Sequence, residues 1–134
     1  MVTNDFIERF AKSIGVAEGF GQPGAIPTRA NNPGDITDDG DLGYGVIRSI
    51  GPHGAAITIY PNVSDGWSAL YRKVRRAACG ASEVYLLTMT IVQFGQKWSG
   101  DPIWAKNFSE DFGCKPTDTL LELVNQDLQK QEQT

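Results

Sequence analysis

Glu18 is the residue of this chain whose type and position best suit acid–base chemistry. It follows an amphipathic stretch in which Phe6, Phe10, Ile14 and Ala17 fall on one helical stripe. A carboxylate there lies near the buried edge of the helix and faces the negative end of the helix dipole. Partial burial also disfavours the charged form. Because both effects raise its pKa, Glu18 is expected to serve as a general acid near neutral pH.

Aspartates in the segment after Glu18 form a second group of candidate acids. They are Asp35, Asp38, Asp39 and Asp41. The last three flank Gly40 and are typical of a solvated turn, so we assign them no chemistry. Asp35 stays open: it would raise the pKa of Glu18 if the two lie close, and it would equally serve as a hydrogen-bond acceptor within the loop.

Hydrophobic periodicity predicts the elements that position these residues. Helices are expected at about 4–17, 65–78, 82–87, from 88, 101–112 and from 119 onward. Two short apolar runs, 46–48 and 56–60, predict the strands of a hairpin joined through Gly51-Pro52-His53-Gly54. The stretch between Glu18 and Tyr44 is rich in glycine, proline and asparagine, and it is expected to shape one wall of a cleft.

Helix starts are predicted from residues that commonly cap them: Thr3 or Asn4, Ser64, Ser82, Thr88, Asp101 and Thr119. Thr119 and Glu122 have the spacing of a capping box. The last helix is expected to pack through Leu120, Leu121, Val124 and Leu128. Together these elements predict an α+β fold, mainly α-helical, with a small β-hairpin, in one domain that spans residues 1–134.

The order of several motifs resembles one protein family. Glu18-Gly19-Phe20 precedes Arg29-x-Asn31-Asn32-Pro33-Gly34, Asp65-Gly66-Trp67, Trp98, Asp101-Pro102 and Trp104. This order resembles small bacterial and phage domains of the lysozyme-like superfamily, related to lytic transglycosylases and goose-type lysozymes. The resemblance covers nearly the whole chain. It implies a lysozyme-like fold in which a helical lobe and the hairpin flank a glycan cleft. Asp35 stands where the family motif usually has asparagine.

The resemblance also implies an activity. It is cleavage of the MurNAc-β-1,4-GlcNAc bond of peptidoglycan by a muramidase of the lytic-transglycosylase type. Glu18 would act first as acid and then as base, while the 6-hydroxyl of the sugar captures the reacting centre. The residues implied in substrate binding are Asn31, Asn32, Asp35, Tyr60 and Trp98. One of the two asparagines has the alternative role of fixing the turn, and Tyr60 that of packing in the hairpin. Trp104 is expected in the core.

Two further functions stay open. The first is a glycan-binding or structural domain that has the fold without turnover, which Asp35 and the acidic pI of about 4.9 favour. The second is hydrolysis by lysozyme or chitinase chemistry, in which one of the loop aspartates is the second carboxyl group that such enzymes use.

Composition excludes several classes of partner. The net charge of −4 argues against a general nucleic-acid or anionic-membrane binder. No apolar run is long enough to span a membrane, and no signal peptide is visible. The partner we expect is peptidoglycan or a related amino-sugar glycan, bound by a monomer that acts in the periplasm or outside the cell.

No cofactor or metal is expected. His53, the one histidine, cannot make a metal site with its neighbours. Cys79 and Cys114 fit no metal or redox spacing. They would form a disulfide outside the cytoplasm or remain two separate buried thiols.

Overall fold

The fold is mainly helical. A computed structural model describes residues 2–37, 47–50 and 56–132. Its helices and strands in chain order are α1 (Asn4–Ala17), α2 (Ile26–Arg29), β1 (Ile47–Ile50), β2 (Ala56–Ile59), α3 (Val63–Ala78), α4 (Ile91–Trp98), α5 (Trp104–Phe112) and α6 (Leu120–Glu132). The predicted predominance of helix and the predicted pair of strands are therefore confirmed for the described residues.

Helix α1 has the bounds that the sequence predicts. The Thr3 hydroxyl accepts a hydrogen bond from the backbone N–H of Phe6 at 3.0 Å, which caps the helix start. The last helical residue is Ala17, and Glu18 forms the C-cap. Gly19 follows with a φ of 77°, a left-handed conformation that glycine adopts without strain and that ends the helix.

The predicted caps of two later helices are wrong. Helix α3 is capped by Asn62 and not by Ser64, because the Asn62 side-chain oxygen accepts from the backbone N–H of Asp65 at 2.9 Å. Helix α4 is capped by Thr90 and not by Thr88, and Thr90 forms a reciprocal capping box with Gln93. In both cases the cap is the residue whose side chain reaches the free N–H groups of the first turn.

Two further predictions of helix also need correction. Residues 82–87 are not helical, since the Ser82 hydroxyl accepts from the N–H groups of Val84 and Tyr85 and so holds a local turn. Helix α5 begins at Trp104 and not directly after Asp101, whose carboxylate accepts from the N–H of Ile103 at 3.0 Å. Polar side chains that bond their own backbone compete with helix here.

Helix α6 begins where predicted, but its packing face is shifted. The Thr119 hydroxyl accepts from the N–H of Glu122 at 3.1 Å. Leu120 and Val124 are buried, whereas Leu121 is 40% exposed and Leu123 takes its place in the core. A stripe that includes Leu123 with Leu120 and Val124 follows the helical period more closely.

The two strands pair as an antiparallel ladder in which Ile47 lies opposite Ile59 and Ile50 opposite Ala56. The predicted strands lie within a few residues of these bounds. The hairpin is tied to the preceding loop, because the backbone N–H of Thr58 donates to the carbonyl of Ile36 at 3.0 Å. The loop that follows α2 is therefore fixed in position by the ladder.

Among the described residues, one core cluster joins the helices. Helix α1 packs against α3 and α5, and α4 packs against α5. The largest fully buried side chains are Phe6, Phe10, Ile14, Tyr60, Leu70, Phe94, Trp104 and Phe108. Phe10 sits at the centre, with its ring 4.7 Å from that of Phe108 and 5.5 Å from that of Phe94. Burial of such rings supplies most of the stabilisation of this small domain.

Two other sequence features have a definite place. None of the described helices is long and apolar enough to cross a membrane. Cys79 and Cys114 are free thiols in this structure; Cys79 is exposed and Cys114 is partly buried. Burial raises the pKa of the Cys114 thiol.

Candidate active site

The Glu18 side chain lies where the end of α1 meets the start of α5. The Glu18 backbone N–H donates to the carbonyl of Ile14 at 2.9 Å, so the helix geometry fixes its position. One carboxylate oxygen, Oε2, accepts a hydrogen bond from the indole Nε1 of Trp104 at 3.1 Å. The carboxyl group is therefore held from the side of the core while the residue keeps part of its surface exposed.

Trp104 is a rigid support for this carboxyl group. It is 1% exposed, and its ring stacks on that of Phe108 at 5.2 Å with an interplanar angle of 7°. Gly95 makes room for it, since a Cβ at that position would lie 2.6 Å from the indole ring. Because the indole cannot move away, its N–H points at Glu18 before any ligand arrives.

The surroundings raise the pKa of Glu18 from 4.5 to about 8. Burial is the largest cause, and the neighbouring charge of Asp35 is the second. The hydrogen bond from Trp104 opposes them by stabilising the carboxylate, and Asp101 adds a smaller upward effect. The expected raised pKa is thus found, with burial rather than the helix dipole as its main origin. At pH 7 the carboxyl group is largely protonated.

Asp35 shares the site with Glu18. Its backbone has a φ of 49°, a left-handed conformation that aspartate tolerates better than most residues. Its Oδ1 is buried and has no hydrogen-bond partner within the described part of the chain. Burial raises the pKa of this carboxyl group too. The open question about Asp35 is answered in one respect: it lies close enough to raise the pKa of Glu18.

The turn that carries Asp35 is built on Asn32. The Asn32 side-chain amide donates to the carbonyls of Ile36 at 2.9 Å and Thr58 at 2.8 Å, and its oxygen accepts from the N–H of Ile36 at 2.9 Å. The residue is fully buried, so it fixes the turn and presents no surface to a ligand. Asn32 therefore has the structural role that the sequence left open for one of the two asparagines.

Asn31 and Tyr60 are joined to each other. The Asn31 amide donates to the backbone carbonyl of Tyr60 at 3.1 Å, and the Tyr60 N–H donates to the carbonyl of Ala30 at 3.0 Å. Asn31 remains partly exposed, whereas Tyr60 is 1% exposed and belongs to the core cluster. The packing role of Tyr60 is therefore the one observed, and its predicted contact with a substrate has no exposed surface to support it.

The Trp98 side chain contacts the turn that carries Asp35. Its indole Nε1 donates to the carbonyl of Gly34 at 2.8 Å, directly before Asp35 in the chain. Its ring is partly exposed and packs against Tyr85, with 5.0 Å between the ring centroids, and against Phe94. Trp98 therefore remains a candidate for contact with a substrate as well as a packing residue, because it packs against two rings and part of its surface is accessible.

Three residues at the site were missed or given other roles in the sequence analysis. Trp104 was assigned only to the core, Asp101 only to a helix start, and Tyr85 to a helix that does not form. Burial raises the pKa of Tyr85, and the charge of Glu18 adds to this effect, which places the two groups near each other. No spacing pattern connects these residues to Glu18, since they meet it only through the packing of α5 and of the turn at 82–87.

Other predicted features lie elsewhere. Asp38, Asp39, Asp41 and His53 fall outside the described residues. Asp65 bonds Asn62 through both its backbone N–H and its carboxylate, consistent with a structural role at the start of α3. Among the residues that the structure describes, no three His, Cys, Asp or Glu side chains converge as metal ligands would.

Replacing Asp35 by asparagine is expected to lower the pKa of Glu18. The substitution removes the second-largest cause of the raised value but leaves burial in place, so the pKa should stay above the ordinary value of 4.5. NMR titration of the 13C-labelled Glu18 carboxyl measures it directly. Asp101→Asn should lower the pKa by a smaller amount, because its effect is the weakest of those present. An unchanged pKa in Asp35→Asn would show that the two carboxyl groups do not interact.

No family model, no curated protein and no solved structure matches the chain.

Proposed function

We propose that this chain has a lysozyme-like fold and is a peptidoglycan-cleaving muramidase of the lytic-transglycosylase type. Its substrate would be the MurNAc-β-1,4-GlcNAc bond, held in a cleft between the helices and the hairpin. One observation carries the proposal: the carboxyl group of Glu18 is partly buried, has a pKa of about 8 and is held by the Trp104 indole. A carboxyl group that is protonated at neutral pH is what cleavage of a glycosidic bond needs first.

In the first step Glu18 donates its proton to the glycosidic oxygen. The bond between that oxygen and C1 of the MurNAc ring breaks, GlcNAc leaves as an alcohol, and C1 becomes oxocarbenium-like. In the second step the Glu18 carboxylate removes the proton from the 6-hydroxyl of the same MurNAc. The 6-oxygen then bonds to C1, which gives an anhydro end and returns Glu18 to its protonated form.

The neighbours of Glu18 suit both steps. The Trp104 N–H contacts Oε2, so Oε1 remains for proton transfer. The same hydrogen bond stabilises the carboxylate that forms when the proton leaves, because an N–H donor favours the charged form. The negative charge of Asp35 would support a positive centre at C1.

Hydrolysis is a second candidate, and the position of Asp35 is the observation that favours it. An inverting hydrolase needs a second carboxylate to activate water. The unpartnered Oδ1 of Asp35 is an acceptor that a water molecule would satisfy. The order of motifs along the chain argues the other way, because it resembles that of enzymes that use a single glutamate. We therefore place transglycosylation first and hydrolysis second.

The biological setting follows from the substrate. Peptidoglycan lies outside the cytoplasmic membrane, so the proposed site of action is the periplasm or the cell exterior. Nothing in the proposed reaction requires a cofactor or a second copy of the chain, and we propose that it works as a monomer.

Mass spectrometry of the soluble products from purified peptidoglycan tests the proposal. The wild-type chain should release anhydromuramyl products, and Glu18→Gln should be slower by about 1,000-fold, within the range found for loss of a general acid. Glu8→Gln, which changes an exposed glutamate of the same helix, is the matched control and should retain activity. Hydrated reducing ends would favour hydrolysis. Glycan binding without products, on walls that a control enzyme digests, would favour a binding domain and overturn the proposal.

A further inference from the structure

A cavity of about 370 Å³ lies between the second half of α3 and the turn at 82–85. Its lining residues are Lys73, Arg76, Ser82, Glu83, Val84 and Tyr85. The volume is at the lower end of the range for small-molecule sites, so the cavity has room for one part of a larger ligand. None of these residues takes part in the proposed cleavage reaction.

The cavity has two cationic side chains and one anionic side chain. The Arg76 guanidinium donates to the carbonyl of Ala81 at 3.2 Å, which holds it at the wall of the cavity and leaves further N–H donors. The Lys73 ammonium lies 5.7 Å from the centre of the Trp98 ring. Because Lys73 and Arg76 outnumber Glu83, the lining has a net positive formal charge, whereas the whole chain has a net charge of −4. Such a lining favours a carboxylate.

Tyr85 connects this cavity to the candidate active site. Its ring contacts Trp98 at 5.0 Å and Phe94 at 4.8 Å between centroids. Trp98 in turn donates to the carbonyl of Gly34, one residue before Asp35. Tyr85 and Trp98 therefore form a continuous contact from the cavity to the turn that carries Asp35.

We propose that this cavity binds the acidic peptide substituent of the glycan, with Lys73 and Arg76 contacting its carboxylates. The inference rests on the proposed function, because it assigns the cavity to the substrate of that reaction. The muramyl sugar carries its peptide beside the bond to be cleaved, and Tyr85 and Trp98 connect the cavity to that part of the site. The site would thus prefer glycan that still carries peptide over glycan from which an amidase has removed it.

Cleavage kinetics on two substrates test the preference. The substrates are soluble glycan strands with their peptides and the same strands after treatment with an amidase. The wild-type chain should show a KM about tenfold lower on peptide-bearing strands, and Arg76→Gln and Lys73→Gln should each lose most of this ratio. Arg75→Gln is the control, since Arg75 lies on the same helix and is exposed but does not line the cavity. Its guanidinium instead donates a hydrogen bond of 2.7 Å to the side-chain oxygen of Asn4. An equal KM for both substrates in the wild type would overturn the inference and leave the proposed cleavage intact.

Direct binding separates this inference from the proposed function. A synthetic acidic tetrapeptide is titrated into the 15N-labelled chain, and the N–H signals of residues 82–85 should shift in the wild type and much less in Arg76→Gln. Such shifts in a chain that does not cleave walls would contradict the proposed function while supporting the cavity assignment. Shifts with inorganic phosphate but none with the peptide would instead identify a phosphate site and overturn the inference.

Discussion

Glu18→Gln is expected to make the folded protein more stable at high pH while it removes the proposed acid. Glutamine has the shape of a protonated glutamic acid, and its side-chain oxygen still accepts the Trp104 hydrogen bond. It carries no charge that burial and Asp35 would oppose. The variant therefore keeps the packing of the site and loses only the cost of ionisation.

The direction of the pH dependence follows from the raised pKa. The folded state holds the Glu18 proton up to about pH 8, whereas the unfolded chain releases it near pH 4.5. Between these values the folded state binds more protons, so the stabilising contribution is complete below about pH 4.5 and is lost as the pH rises through 8. The full difference corresponds to about 5 kcal/mol, and we expect about 3 kcal/mol because the side chain remains partly exposed.

Urea unfolding at about pH 4, 6.5 and 8.5 measures the effect. The free energies of unfolding of wild type and Glu18→Gln should agree at the lowest pH and diverge by about 3 kcal/mol at the highest, with the variant more stable. Glu8→Gln should follow the wild type within about 0.5 kcal/mol at every pH. Equal stability of Glu18→Gln and wild type throughout would mean that Glu18 titrates as a solvated carboxyl, and the acid assignment would fail with it.

Gly66→Ala is expected to destabilise the fold by about 3 kcal/mol or more. Alanine is the better helix former by about 1 kcal/mol, so an isolated α3 would gain from this change. In the folded protein a Cβ at Gly66 would lie 1.9 Å from the carbonyl oxygen of Asn31 and 3.0 Å from Cδ of Pro33. Neither contact is with a flexible side chain. The backbone of the turn or of α3 must therefore move.

A glycine in α1 provides the matched control. A Cβ at Gly15 would lie 3.4 Å from the Trp67 ring, an ordinary contact. Gly15→Ala should leave stability unchanged or raise it by up to about 1 kcal/mol. Urea unfolding at about pH 6 compares both variants with the wild type. If Gly66→Ala were as stable as Gly15→Ala, the close approach of the turn to α3 would be refuted, together with the placement of Asp35 that depends on it.

The parts of the site that the sequence predicts are those that depend on one segment. Helix α1, its cap at Thr3 and the half-buried position of Glu18 all follow from local periodicity and capping. The raised pKa has the predicted direction for the same reason, because the apolar stripe already places Glu18 beside the core. The turn at Asn31 and Asn32 is also predicted, although only the structure shows that Asn32 is entirely buried.

The parts that the sequence does not predict depend on contacts between distant segments. Asn62 and Ser64 are both good capping residues, and only the path of the chain out of β2 decides between them. Residues 82–87 have the composition of a short helix, yet Ser82 bonds the backbone locally and Tyr85 packs on Phe94. The hydrogen bond between Trp104 and Glu18 has no local signal at all, since it depends on how α5 docks on α1.

That hydrogen bond also bears on the order of events during folding. Its two partners are 86 positions apart in the chain, so it cannot form until α5 has docked against α1. Contacts of such long sequence separation carry a large loop-closure entropy and form with the global fold rather than in any local fragment. A nascent or partly folded chain therefore has an ordinary, ionised glutamate at position 18. The protonated acid is a property of the completed tertiary structure, and it disappears whenever the docking of α5 is lost.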